Sequence, residues 1–196
     1  MLIIQHRANS LSDSVTSNCA EIDIHLDVYG DLGVKHDVCE SGWILQSFLE
    51  RTGYKNFFVD IKQNLSTKDY LRVIEIFGDR LIGLFDVPMP AAYFLSRDNI
   101  PFYARLSEFE LPDTLSTRYW LDPLTKWDGT IHNALLTMLA PRNRVVVACP
   151  SLHGQSVEKC ENVWSLFSLW DKTEGAPIIE GIVTKHVLRC QEFFNG

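Results

Sequence analysis

The stretch "AEIDIHLDVYGDLGVKHD", residues 20–37, interleaves Glu21, Asp23, His25 and Asp27 with Ile22, Ile24 and Leu26. His36 follows fifteen residues after Glu21, and Asp37 comes next. Alternation with period two predicts a β-strand in which residues i and i+2 share a face. Ile22 and Ile24 then face a helix layer, and Glu21 and Asp23 project together from the opposite side. Two adjacent carboxylates repel unless a cation lies near them. The stretch is therefore either a half-buried strand with an ordinary polar face, or a platform for a metal ion and proton transfer.

Working outward, further short runs rich in Ile, Val and aromatic residues read as strands: "LIIQH" (2–6), "NFFVDI" (56–61), "RLIGLFD" (80–86), "PFYAR" (101–105), "RYWLD" (118–122), "RVVVAC" (144–149) and "IEGIVT" (179–184). Helix-like runs lie between them. "SGWILQSFLERTG" (41–53) starts at a serine and stops at a glycine. "STKDYLRVIEIFG" (66–78) has Ser66 as N-cap and Tyr70, Leu71, Ile74 and Phe77 at helical spacing. "DGTIHNALLTMLA" (128–140) ends before Pro141, and "SVEKCENVWSLFSLWDKTEG" (156–175) ends at a glycine. The aromatics within "NVWSLFSLW" read as a core-facing helix side. Segments 8–19 and 87–100 read as too short or too proline-interrupted for full helices.

Eight strands, each followed by a helix or a short stand-in, imply parallel pairing and a minimal (β/α)8 TIM barrel, an α/β fold over residues 1–196 as one domain. An open doubly wound sheet is the alternative, and it usually needs fewer strands. The chain of 196 residues is 46% hydrophobic with a net charge of −7, which disfavours nucleic acid or an anionic membrane as a partner held by a general basic field. The five cysteines are scattered and form no C-x-x-C pair, so free thiols and a cytoplasmic location are expected. No apolar run reaches the roughly 20 residues of a membrane span.

In a barrel of this kind the active site lies at the C-terminal strand ends. Those ends carry His6 and Arg7, Glu21 and Asp23, Asp60 and Lys62, Asp86, Arg105 and Asp122. Glu21, Asp23 and Asp60 make a ligand set for a hard divalent cation, Mg²⁺ or Ca²⁺. His6 and His36 flank it as general acid and base. Arg7 and Lys62 supply cations for an anionic substrate. Arg105 and His153, the latter after strand 144–149, are further candidates for substrate or phosphate contact. His25 lies on the polar side of its strand, and His132 and His186 read as solvated or packed helix residues.

The motif "HR" closing the first strand, "E-x-D" in the second, "HD" fifteen residues after the Glu, and "DIK" closing the third resembles the glycerophosphodiester phosphodiesterase family, within the phospholipase C-like phosphodiesterase barrels. The family pattern around the second strand is matched at Glu21, Asp23, Ile24, Gly30, His36 and Asp37, with Asp27 where Thr is usual. "RLSEFE", "YWLD" and "IEGIVTKH" resemble its weaker strand-end signatures. The resemblance implies a metal-dependent phosphoric diester hydrolase of lipid metabolism. In it His6 and His36 form the acid–base pair, Glu21, Asp23 and Asp60 hold the metal, and Arg7 and Lys62 hold the phosphate. Attack by water or by a neighbouring substrate hydroxyl, giving a cyclic phosphate, both stay open.

The departures are specific. Ala8 replaces the glycine after "HR", the family's "P-E-N-T" stretch is missing, and Asn9 or another residue must supply the contact it makes. Asp60 stands where Glu is usual, and only 23 residues separate His36 from Asp60. That leaves no room for the long insertion that encloses a small glycerophosphodiester. A more open site is expected, one suited to a lipid or glycan phosphodiester. A catalytically inactive barrel that binds a phosphorylated ligand and a metal-free sugar-processing barrel with paired carboxylates are the competing readings.

Overall fold

The computed structural model describes residues 1–196 except Val38, Glu40, Asp113, Thr114 and Asp128. Its contacts gather into two compact units, one of His6–Phe102 and one of Met1–Gln5 with Tyr103–Gly196.

The first unit is built on β2 (Cys19–Leu26), which pairs in parallel with β5 (Asn56–Ile61), itself parallel to β6 (Leu81–Phe85). On its other side β2 turns back into antiparallel β3 (Leu32–Val34), which pairs with β4 (Trp43–Ile44). The β2–β3 turn is local chemistry: Asp27 Oδ1 accepts from the Tyr29 and Asp31 amides at 2.8 and 2.9 Å, and Gly30 takes φ +84°. Behind the strands lie α1 (Leu45–Arg51), α2 (Thr67–Phe77) and α3 (Met89–Arg97). Ser66 caps α2 as its sequence predicts, with its side chain accepting from the Asp69 amide. Tyr70, Val73 and Phe77 bury the inner face of α2, and Phe77 packs at 5.4 Å from the Phe57 ring.

The second unit places β10 (Ile178–Thr184) between β1 (Leu2–Gln5) and β9 (Arg144–Ala148), and continues through β8 (Arg118–Leu121) to β7 (Ala104–Leu106), all parallel. Gly181 lies opposite Leu2 in this ladder. A Cβ there would come within 2.9 Å of Ile4 Cδ1 and 3.2 Å of the Leu2 carbonyl oxygen, so β1 and β10 approach closely at a glycine. The helices α4 (Thr130–Leu136), α5 (Val157–Trp170) and α6 (Val187–Asn195) cover a core of Val145, Val147, Ile182, Val163, Trp164 and Phe167.

All eight expected strands form, the fifth displaced from the expected 101–105 to Ala104–Leu106. Three expectations need correction. Trp43 and Ile44 extend the hairpin as β4 instead of opening the helix of 41–53, because pairing with Gly33 and Val34 overrides local helix spacing. Segment 87–100 does carry a helix, α3. Its Pro88 and Pro90 fall at the N-cap and in the first turn, where the missing amide is no loss. Helices 128–140 and 156–175 end earlier, at Leu136 and Trp170; residue 128, the expected start of the first, lies outside the described residues. Among the described residues no helix is long and apolar enough to cross a membrane.

Candidate active site

Strand β2 explains how three carboxylates come together. Its parallel register sets Asp23 directly beside Asp60 of β5, and Glu21 shares the face of Asp23 two residues earlier. One oxygen from each of Glu21, Asp23 and Asp60 lies within 4.8 Å of the others, and all three residues are buried. Like charges directly opposite in a sheet destabilise it. The electrostatic consequence is large. Burial, then Asp23 and Asp60, push the Glu21 carboxyl well above the usual range, against the Arg7 amide and Lys62. Burial and then Asp86 push Asp60 up to about 7, with Lys62 opposing them.

The surrounding groups hold the cluster in place. The Lys62 ammonium lies 3.1 Å from Asp23 Oδ1 and pairs with Asp60 Oδ2. Burial alone would lower the Lys62 pKa, but Asp60 and Asp23 more than reverse this and raise it. The Arg7 backbone N–H donates to Glu21 Oε2 at 2.7 Å, and Arg7 adopts φ +49° to do so, leaving its side chain exposed. Asp86, after β6, also has positive φ, at +55°. Left-handed backbone at non-glycine residues costs on the order of 1 kcal/mol or more and gathers at functional sites. His6 Nε2 lies 3.8 Å from Glu21 Oε2.

Asn9 grips Asp23 in both directions. Its Nδ2 donates to Asp23 Oδ2 at 2.6 Å, and its Oδ1 accepts from the Asp23 amide at 3.0 Å. Asn9, a side-chain amide two residues after Arg7, thus reaches the carboxylate cluster. The cluster fits a hard divalent cation. It offers several oxygens of one charge, and Asp60 Oδ1 is buried with no hydrogen-bond donor among the described residues.

Glu21, Asp23, Asp60 and Lys62 thus come together, with His6 beside Glu21 and Arg7 joining through its backbone amide. His36 stands at the end of β3 with its side chain 29% exposed and Nδ1 3.2 Å from Asp37 Oδ1. Its segment is tied to β2, since the Lys35 amide donates to the Asp23 carbonyl at 3.1 Å. His25 is buried, its Nε2 2.7 Å from the His36 carbonyl oxygen. Arg105 and His153 belong to the other unit. Arg105 Nε lies 3.8 Å from Glu110 Oε2, and His153 Nε2 is 2.7 Å from Asp122 Oδ1, with its ring stacked on Trp127 at 5.2 Å. His132 is fully buried against Phe167, and His186 is the N-cap of α6 rather than a residue within it.

Comparison with known proteins extends this picture. No protein-family model matches the chain, and no curated protein matches it in sequence. Solved structures do match. A glycerophosphoryl diester phosphodiesterase from Parabacteroides distasonis superposes with a TM-score of 0.62 at 11% identity, covering 99% of this chain and 86% of that one. A glycerophosphodiester phosphodiesterase from Agrobacterium tumefaciens gives 0.59 at 8% identity, with 100% of both chains covered. The enzyme from Thermotoga maritima gives 0.51 at 16% identity, with 98% of both chains covered. The fold is therefore the (β/α)8 TIM barrel that the strand–helix alternation predicts. The family resembled in motif is also the one resembled in fold.

Proposed function

We propose that the chain is a divalent-cation-dependent phosphoric diester hydrolase. The observation that carries this reading is the buried convergence of Glu21, Asp23 and Asp60 beside His6. The fold shared with glycerophosphodiester phosphodiesterases supports it. Three mutually repelling carboxylates are an unfavourable arrangement for stability alone, and a cation offsets the repulsion.

Glu21, Asp23 and Asp60 would hold the ion, Mg²⁺ or Ca²⁺, which would supply Lewis-acid neutralisation of charge on the phosphoryl oxygens. Lys62 and the Arg7 side chain bind the phosphodiester anion. His6 and His36 divide proton transfer. One takes the proton of the attacking hydroxyl or water, and the other gives a proton to the departing alkoxide, a poor leaving group at neutral pH. Asn9 and the Arg7 amide keep the carboxylates aimed. The short connection between His36 and Asp60 leaves the site open, which suits a lipid or glycan phosphodiester better than a free glycerophosphodiester.

Hydrolysis of bis-p-nitrophenyl phosphate with Mg²⁺, Ca²⁺ or Mn²⁺, and with chelator, tests the proposal. Turnover that needs an ion and disappears in His6→Ala and Glu21→Ala is expected. Folded protein that binds an ion by calorimetry yet hydrolyses neither this surrogate nor lipid and glycan phosphodiesters would replace the hydrolase by a binding protein.

A further inference from the structure

We infer that His25 is a positioning residue for His36, a role that rests on the hydrolase reading above. The imidazole of His25 is 4% exposed and sits on β2, on the face of Glu21 and Asp23. Strand β2 is fixed on both sides, with His25 opposite Gly33 of β3 and Ile24 opposite Ile61 of β5. This ring projects from a rigid element.

His36 stands outside the strands. It lies two residues beyond the last residue of β3, with a partly exposed side chain. Its carbonyl oxygen is 2.7 Å from His25 Nε2. A carbonyl can only accept, so Nε2 carries the proton and donates it. The Lys35 amide, two peptide groups earlier, donates to the Asp23 carbonyl. The peptide groups on either side of the 35–36 link are therefore moored to β2, one by backbone and one by the His25 side chain. The other ring nitrogen, Nδ1, lies 3.4 Å from Gln63 Oε1. With the proton on Nε2 both of these atoms are acceptors, so the His36 carbonyl is the hydrogen-bond partner of the ring.

A buried imidazole whose donor meets a carbonyl is stable; losing the donor strands that carbonyl and frees its segment. Displacement of a reacting group by about 1 Å can cost roughly a hundredfold in rate. The effect of His25 should therefore fall on kcat rather than on substrate binding.

The test compares His25→Leu, which has no donor, with His25→Gln, whose amide nitrogen sits the same number of bonds from the backbone as Nε2. His25→Asn, polar but too short to reach, replaces the leucine variant if that one fails to fold. Bis-p-nitrophenyl phosphate with Mg²⁺ or Ca²⁺ gives kcat and KM, and hydrogen exchange reads the Lys35, His36 and Asp37 amides. The donor-free variant should lose roughly 10- to 100-fold in kcat, with KM within about threefold, and exchange faster at residues 35–37. Glutamine should restore most of both losses. Equal losses in the glutamine and donor-free variants would overturn the inference, because packing would then explain them. Unchanged exchange and rate in the donor-free variant would overturn it too. If the wild type hydrolyses nothing with any ion, the hydrolase reading fails. The exchange comparison then still decides whether the ring clamps His36.

Discussion

The strand ends of the two units carry similar residues in opposite electrostatic states. Within β2, which runs on past them to Leu26 instead of ending there as the sequence suggests, and near the end of β5, three buried carboxylates face one another and share one ammonium, and burial and repulsion raise the Glu21 and Asp60 pKa values. At the ends of β8 and β9, Asp122 is paired with His153, whose ring is stacked on Trp127. Glu108 there accepts from the Leu124 and Thr125 amides and the Thr125 hydroxyl. Burial would raise the Glu108 pKa, but these donors outweigh it and hold it at about 2. The second unit spends its acids on satisfying hydrogen bonds. The first keeps acids that repel. Clusters of this kind gather at functional sites, which is why the proposed reacting centre is placed at β2 and β5.

The largest effect should come from removing one of the repelling acids. Asp60→Asn is expected to abolish ion-dependent hydrolysis, by about a thousandfold or more. It should also stabilise the ion-free protein above pH 7 by about 1–2 kcal/mol, as measured by denaturant melts. A destabilised variant would mean that the Lys62 pair, not the repulsion, dominates the site.

A pH series on the wild type sharpens the same contrast. The folded Asp60 carboxyl titrates at about 7 against 3.8 for its ordinary value, so between these the folded state binds the extra proton. Stability of the ion-free protein should therefore fall as pH rises from about 4 to about 7, then level off. Glu21, also raised, acts in the same direction. Added Mg²⁺ or Ca²⁺ should bind more tightly across that range and restore the lost stability. Thermal melts with and without chelator measure both.

The smallest effect belongs to the second unit. Glu108 has its pKa lowered, so its contribution is present above about 4.5 and is lost as pH falls towards about 2. Because the side chain is largely solvated, Glu108→Gln should cost only a few tenths of a kcal/mol at neutral pH, and nothing near pH 2. A cost of several kcal/mol would show the 123–127 loop to be a structural anchor instead.

Much of the site was legible in the sequence because it follows from period and spacing. Glu21 and Asp23 share a strand face by alternation, and "DIK" puts Asp60 and Lys62 at the next exit. Less legible were features that depend on partners far along the chain. Trp43 and Ile44 have helix-compatible neighbours, and only the β3 edge recruits them as strand. The prolines at 88 and 90 looked like breakers until their place in the first turn of α3 was fixed. Asn9 could be named as a candidate, but its two bonds to Asp23 could not.

What the sequence by itself determined is the order of strands and helices, the barrel class, and which residue types stand at strand ends. These depend on short-range periodicity, which a linear chain carries in full. Only the tertiary structure decided the register that sets Asp23 beside Asp60, the ammonium of Lys62 between them, and the His25 ring under the His36 carbonyl. Register and side-chain pairing are set by how separate segments meet in space, and the distances that tune charge and position exist only after they have met.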